Sequence, residues 1–292
     1  MLLCTPHPLL RSTLSLRERD ASFEFPLHPL YFNRMTSLSG KCALVTGSTQ
    51  GLGLAVVRRL ASVGCDVVLH GLGDPDAVAT IPRQIESEFR VRCTYSSADL
   101  RNPASIEQMM TAFGAIDILV NNAVVRHVAA IESLSAVDWN EDLAVNLSAA
   151  FHTIRFALPG MKTRNWGRIV NVSSIYGLVG ATNRAGYVTT KTALIGLTRA
   201  VALETTSFDI TCNAICPGTS ATLLHESSLA TLRETQNLDR DAAERLLLAG
   251  KQPTGRLIAP DGVAALIVSL CSPELRDITG TAIPIDGGWS AM

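Results

Sequence analysis

The chain is poor in charge and has no long apolar run. Charged residues fill 17% of its 292 positions, with Lys plus Arg at 25 and Asp plus Glu at 26, for a formal net charge of -1. Holding nucleic acid by its phosphates requires a local excess of positive charge. No dense Lys/Arg block supplies one, so that class of partner is excluded. Mean hydropathy is +0.23. Even so, the most apolar stretches, such as Gly262–Cys271 and Ile116–Val120, stop well short of the ~18 residues a membrane span needs. No secretory apolar core opens the chain, and no CxxC pair occurs among its 7 cysteines, at 4, 42, 65, 93, 212, 216 and 271. No secretory signal, zinc knuckle, disulfide framework or metal site is therefore expected. Scattered through apolar runs, the cysteines read as buried free thiols in a reducing compartment. What is plentiful is hydrophobic residues, at 47%. Disorder needs the opposite balance, so the chain folds around a large core.

Residues 1–37 differ in character, with four prolines at 6, 8, 26 and 29 and aromatics at Phe23, Phe25, Tyr31 and Phe32. Met1 to Arg17 carries arginine and serine without acid, as a mitochondrial transit peptide does, but Glu18, Asp20 and Glu24 oppose that reading. A disordered N-terminal extension is expected, with targeting as the alternative.

From Lys41 onward, short apolar runs alternate with helical patterns. Strands are predicted at Cys42–Val45, Asp66–Leu69, Cys93–Ser97, Ile116–Val120, Arg168–Val172, Ile210–Ile215 and Ala282–Ile285. Helices are predicted through Leu60, over Ala77–Phe89 with Pro82 limiting the start, over Ile106–Phe113, over Asp138–Met161 closed by Pro159-Gly160, and over Tyr187–Glu204. Near-continuous apolar strands are buried on both faces, and helices between them make βαβ units. The expected fold class is α/β, a single-domain doubly wound parallel sheet of Rossmann-like type over 38–292. Residues 219–250 break the alternation; they are polar and helix-prone, as a small helical lid would be.

Thr46-Gly-Ser-Thr-Gln-Gly-Leu-Gly53 falls between the first strand and the first helix. Gly47, Gly51 and Gly53, with Thr49 and Leu52 between them, suit a sharp turn and close approach to a pyrophosphate at a helix N-terminus. The acid that holds an adenosine ribose about 20 residues on is missing from His70-Gly-Leu-Gly-Asp74. No Lys or Arg is there to hold a 2′-phosphate either, which favours NAD over NADP. His70 itself reads as an exposed loop residue.

Ser174, Tyr187 and Lys191 form the sharpest constellation. Tyr187 and Lys191 are four apart at the head of a helix and share a face. Ser174 follows the fifth strand, whose end faces the ligand crevice. A tyrosine is too weak an acid to serve as a base at neutral pH unless a neighbouring ammonium favours its phenolate. Ser174 would hold the substrate oxygen while Tyr187 exchanges its proton and a nicotinamide takes the hydride.

These residues, with Asp99-Leu100, Asn121-Asn-Ala123, Asn146, Pro217-Gly218 and Asp286-Gly-Gly288, resemble the short-chain dehydrogenase/reductase family over about Leu38–Met292. The resemblance implies that Asp99 and Leu100 flank an adenine and that Asn121 and Ala123 line the ribose side. It further implies that Lys191 holds the nicotinamide ribose, that Asn146 retains a water in a proton relay through Lys191 to Tyr187, and that Thr222 bonds the carboxamide beside Pro217-Gly218. Subunits of this family usually pair, so a homotetramer is implied. Val124 departs from the family's glycine.

Within that family the chain most resembles the bacterial D-3-hydroxybutyrate dehydrogenases, through His70-Gly-Leu-Gly-Asp74, Asn146-Leu-Ser-Ala-Ala-Phe-His152, Ala157-Leu-Pro-Gly-Met-Lys162, Asn213-Ala-Ile-Cys-Pro-Gly218, Lys251-Gln-Pro253 and Asp286-Gly-Gly-Trp289. The substrate positions depart from that pattern. Arg126 stands for a glutamine, Tyr176 for a histidine, Arg184 for a lysine, Thr219 for a tryptophan and Ser228 for a lid glutamine; Trp289 is retained. Arg126 and Arg184 suit a small hydroxy-acid anion, because guanidinium grips carboxylate in a fork. Their bland alternatives are an Arg126–Glu132 pair and an Arg184 in solvent. The expected activity is NAD-linked interconversion of a D-3-hydroxy acid and its 3-oxo acid in the cytoplasm, or in mitochondria if the first 34 residues target it there. The rivals are an NADP(H)-dependent 3-oxoacyl thioester reductase and a silent nucleotide-binding scaffold.

Overall fold

The first strand among the described residues, β1 (Cys42–Val45), divides its side chains between two cores. Ala43 and Val45 join one apolar cluster and Leu44 joins the other, as the pleat of a strand requires. The computed structural model describes residues 37–73 and 75–292; the expectations for residues 1–36 lie outside the described residues.

Six more strands follow: β2 (Asp66–His70), β3 (Cys93–Ser96), β4 (Ile118–Asn121), β5 (Gly167–Val172), β6 (Ile210–Pro217) and β7 (Ala282–Ile285). All pairs are parallel, in the order β3-β2-β1-β4-β5-β6-β7. Every residue of β4, β5 and β6 is buried, the mark of a sheet covered on both faces. The helices are α1 (Gly51–Ser62), α2 (Pro75–Phe89), α3 (Pro103–Phe113), α4 (Ala136–Leu143), α5 (Ala149–Thr163), α6 (Ala185–Glu204), α7 (Leu223–Gln236), α8 (Arg240–Leu247) and α9 (Pro260–Leu270). Val56 and Leu60 of α1 and Val263 and Ile267 of α9 pack on one face; Ile106 of α3, Ile154 of α5 and Val201 of α6 pack on the other. Strand order reverses between β1 and β4, which opens a crevice at the carboxyl ends of the strands.

Local chemistry sets the helix starts. The Asn102 side chain accepts from Ala104 N at 3.0 Å, Ser135 from Asp138 N at 3.0 Å, and Asp239 from Ala242 N at 2.7 Å, satisfying amides that a first turn leaves free.

Two prolines do not act as expected. Pro82 lies inside α2, which begins seven residues earlier, and Pro159 lies inside α5, which continues to Thr163. Burial of Ile85 and Met161, both at 0% exposure, carries each helix past its proline, and tertiary packing outweighs the lost backbone bond. The predicted helix Asp138–Met161 is also interrupted by a π turn at Ala144–Ser148, between α4 and α5. No helix among the described residues is long and apolar enough to cross a membrane, and no cluster of His, Cys, Asp or Glu there could hold a metal.

Candidate active site

A cleft of about 840 Å³ runs along the carboxyl ends of the strands. Its floor begins at the glycine loop. Gly47 and Gly51 adopt φ of +61° and +56°, in the left-handed region where a side chain is strained. A Cβ on Gly53 would come within 2.7 Å of Ser48 Cα and Asn122 Nδ2. Gln50 opens α1 with no side-chain cap and no acid follows in the first turn. The amides of that turn are left to an anion, the donor set a pyrophosphate takes. Gly47, Thr49, Gly51, Leu52 and Gly53 all line the cleft.

His70 holds this loop, contrary to its reading as an exposed residue. It is 2% exposed. Its Nδ1 accepts from Gly47 N at 3.1 Å, and its Nε2 lies 2.9 Å from the Ala98 carbonyl. An amide can only donate and a carbonyl can only accept, so the ring is neutral with its proton on Nε2. Burial pushes its pKa down, against the Ala98 bond and Asp99. The ends of β1, β2 and β3 are thus tied through one imidazole, because burial here is created by two non-adjacent segments. Its place at the end of a strand was the available signal.

Asp99 and Leu100 line the cleft beyond β3. Arg101 grips Asp99 in a fork at 2.9 and 2.8 Å and reaches Glu141 at 3.3 Å. The Arg101 bond leads in holding the Asp99 carboxyl below its usual range. Ala123 and Val124 line the next stretch. Asn121 does not. Its amide donates to Asn171 Oδ1 at 2.9 Å and accepts from Thr153 at 2.7 Å, inside the sheet–helix interface. The pleat turns the following residue the other way, so Asn122 faces the cleft and donates to the carbonyls of Thr46 and Gly47 at 2.9 and 2.8 Å. The expectation of an Asn121 side chain on the ribose side is therefore corrected.

Asn146 also lies behind the cleft rather than in it. The π turn sets its amide against Val125, accepting from N at 2.9 Å and donating to O at 3.0 Å. With Lys191 it lines a separate void of about 10 Å³, near the ~10–15 Å³ that one water occupies.

Ser174, Tyr187 and Lys191 meet at the centre of the cleft. Ser174 caps a short turn after β5, accepting from Tyr176 N at 3.2 Å. Lys191 is 2% exposed and donates from Nζ to Val172 O at 2.7 Å. Burial raises the Tyr187 pKa, but Lys191, Arg126 and bonds from Ser174 and Arg126 prevail and leave it below its ordinary value. Lys191 is itself lowered, chiefly by burial, against the pull of Tyr187. The arrangement leaves the tyrosine hydroxyl able to give up and regain a proton.

Arg126, Tyr176, Arg184, Thr219 and Trp289 line the opposite arm. Tyr176 meets Trp289 edge to face at 5.4 Å and Tyr187 at 6.3 Å between ring centres. Arg126 stacks over Tyr187 rather than pairing with Glu132, and Arg184 faces the cleft rather than open solvent. Pro217, Gly218 and Thr222 line the roof, while Ser228 does not reach it. Further lining residues that sequence reasoning left without a role include Asn122, His225 and Lys251. The His225 Nδ1 lies 2.8 Å from the Ser220 carbonyl and 2.9 Å from Thr222 Oγ1, which puts its proton there. Beside it the buried Gln252 accepts from Thr219 N and donates to Arg256 O at 2.8 Å. Lys251-Gln252 in the sequence was the only signal for this pair.

A family model described as short chain dehydrogenase matches residues 41–233. The D-beta-hydroxybutyrate dehydrogenase of Cupriavidus necator is 43% identical over 259 residues, covering 87% of this chain and 100% of that protein. The enzyme of the same name from Rhizobium meliloti is 40% identical over 256 residues, covering 86% and 99%. Among solved structures, L-sorbose reductase from Gluconobacter frateurii, complexed with NADPH and L-sorbose, superposes with a TM-score of 0.81 at 28% identity, covering 87% of this chain and 97% of that one.

Proposed function

The chain belongs to the short-chain dehydrogenase family, whose members are oxidoreductases that use a nicotinamide cofactor, and we propose that it is an NAD-dependent dehydrogenase of a D-3-hydroxy acid. The observation that carries this reading is Tyr187, buried at 5% exposure between Ser174, Lys191 and Arg126 at the middle of the cleft.

In this reading Ser174 and Tyr187 hold the substrate hydroxyl. Tyr187, favoured as phenolate by Lys191 and Arg126, takes its proton. A nicotinamide held in this cleft would supply the acceptor for the hydride of the carbinol carbon. The proton leaves Tyr187 through Lys191 and a water retained beside Asn146. The uncapped α1 terminus and Gly47–Gly53 hold the pyrophosphate, Asp99 and Leu100 flank the adenine, Ala123 lines the ribose side, Lys191 grips the nicotinamide ribose, and Thr222 meets the carboxamide beside Pro217-Gly218. NAD is favoured over NADP because Arg101, the cation beside β3, is already held by Asp99 and Glu141, and His70 has both ring nitrogens engaged. Arg126 and Arg184 take the substrate carboxylate, and Tyr176 and Trp289 wall its apolar part.

The segment 219–250 acts as a lid. Its helices α7 and α8 are joined by Arg240 to Glu226 at 2.7 Å, and it brings Thr222, His225 and Leu247 to the cleft. A homotetramer is supported by the exposed Val137, Phe151 and Leu203 on α4, α5 and α6; light scattering tests it. A reducing, cytoplasmic setting is supported by six unpaired cysteines among the described residues, with burial pushing Cys42 up to about 11 and Cys93 up to about 12.

The test is NADH formation from a panel of D-3-hydroxy acids with NAD and with NADP. Turnover with NAD is expected. Failure of every hydroxy acid, with turnover of a sugar, steroid or 3-oxoacyl thioester, would overturn the substrate reading; preference for NADP would overturn the cofactor reading.

A further inference from the structure

The substrate arm of the cleft gathers more positive charge than one carboxylate uses. Arg126, Arg184 and Lys251 all line it. None of the three makes an ion pair with an acid among the described residues. Their charges converge: all three act on the His225 ring, and both arginines act on the Tyr176 hydroxyl. The two acids that line the cleft, Asp99 and Glu141, stand at the adenosine end and are held by Arg101. Among the described residues no carboxylate therefore pairs with the three cations, and only Arg126 has another anionic partner, the Tyr187 phenolate.

Like charges gathered in a partly enclosed cleft repel one another and focus a positive potential on whatever enters. The cofactor does not answer this charge, since its pyrophosphate has the amides of α1 and the glycine loop, on the other arm. A single carboxylate balances one cation of three. Thr219, a small residue at the roof of this arm, leaves room for more than a methyl group beyond the carbinol.

We propose that the preferred substrate is a dianionic 3-hydroxy acid, a hydroxy dicarboxylate whose two carboxylates are shared among Arg126, Arg184 and Lys251. This rests on the hydroxy-acid reading above and narrows it. The reaction is unchanged in its balance: the carbinol hydrogen leaves as hydride to the bound nicotinamide, the hydroxyl proton goes to Tyr187, and a 3-oxo diacid results. Arg126 and Lys251 determine specificity, because a monocarboxylate needs only one guanidinium fork.

The experiment compares substrates that differ only in a methyl against a carboxylate. With NAD and the full chain, kcat/KM is measured for 3-hydroxyvalerate against 3-hydroxyglutarate, and for 3-hydroxybutyrate against both enantiomers of malate. The diacid of a pair is expected to be favoured by at least about tenfold, or ~1.4 kcal/mol. Arg126→Gln and Lys251→Gln are each expected to cut the diacid-to-monoacid ratio by about tenfold, and a retained NADH fluorescence titration shows that the variants are folded. Preference for the monoacid, or a ratio unchanged in both variants, overturns this proposal and leaves the hydroxy-acid reading standing. Turnover of neither member of either pair overturns the hydroxy-acid reading, and this proposal with it.

Discussion

The guanidinium carbon of Arg126 lies 5.3 Å from the centre of the Tyr187 ring, and the Lys191 ammonium lies 5.8 Å from the same point. Two cations thus serve one buried hydroxyl. An acid whose pKa is lowered stays deprotonated over a wider range, so removing either cation raises it. Hydroxyl oxidation needs the phenolate, and kcat/KM should climb with pH to a plateau reached below the ordinary tyrosine value of about 10. Arg126→Gln should move that climb to higher pH, which a pH profile of NADH formation reads directly. An unmoved profile would deny Arg126 any influence on the tyrosine.

Tyr187→Phe removes the proton carrier and little volume. Turnover should fall by about 10²–10⁴-fold, the share usual for a positioned acid–base group. NADH binding should persist, which separates lost chemistry from lost folding. Full activity in this variant would remove the proposed mechanism.

His70 links acidity to the cofactor loop. Its folded-state pKa is lowered, so between that value and the unfolded value of about 6.5 the unfolded chain binds more protons. Stability is then fully present above about 6.5 and is lost as pH falls toward the folded value. NADH affinity should weaken over the same window, because a protonated ring cannot accept from Gly47 N. His70→Asn retains an acceptor without titrating and should flatten both dependences. His70→Ala should cost about 2–4 kcal/mol, from one stranded donor and one stranded acceptor. Calorimetry and fluorescence titration across pH 5–8 check these outcomes.

Gly53→Ala tests the floor of the cleft. The added methyl would meet Ser48 Cα and Asn122 Nδ2 at 2.7 Å, and the first of these is backbone that cannot swing aside. The loop must shift away from its amide-donating geometry. An NADH affinity at least about tenfold weaker is expected, ~1.4 kcal/mol, with a lower melting temperature; unchanged affinity would mean that the loop's shape does not govern binding.

How far the sequence carried depended on whether a feature was local. The parallel sheet was legible because short apolar runs such as Ile118–Val120, Ile169–Val170 and Ala214–Cys216 sit in β4, β5 and β6, and Tyr187 and Lys191 because four residues on a helix share a face. Pro82 and Pro159 misled because a local rule met non-local burial at Ile85 and Met161. Asn121 and Asn122 are indistinguishable as letters, and only the pleat at the end of β4 decides which amide faces the cleft. The burial of His70 is made by Gly47 and Ala98, which lie 23 positions before it and 28 after it. Lys251 reaches the cleft from beyond the lid segment, a placement that no periodicity encodes.

The π turn at Ala144–Ser148 makes part of this site a matter of counting. It holds one residue more than an α-helical turn needs, and with that residue Asn146 meets Val125 while Thr153 still reaches Asn121. Deleting one residue there would let the turn close as an ordinary α-helical turn with α5 still in register, so Thr153 would still reach Asn121 while the bulge that sets the Asn146 amide against Val125 would be lost. The exposed Ser148 can change its letter freely, yet deleting it removes the bulge: in this stretch the length of the chain is constrained more tightly than its spelling.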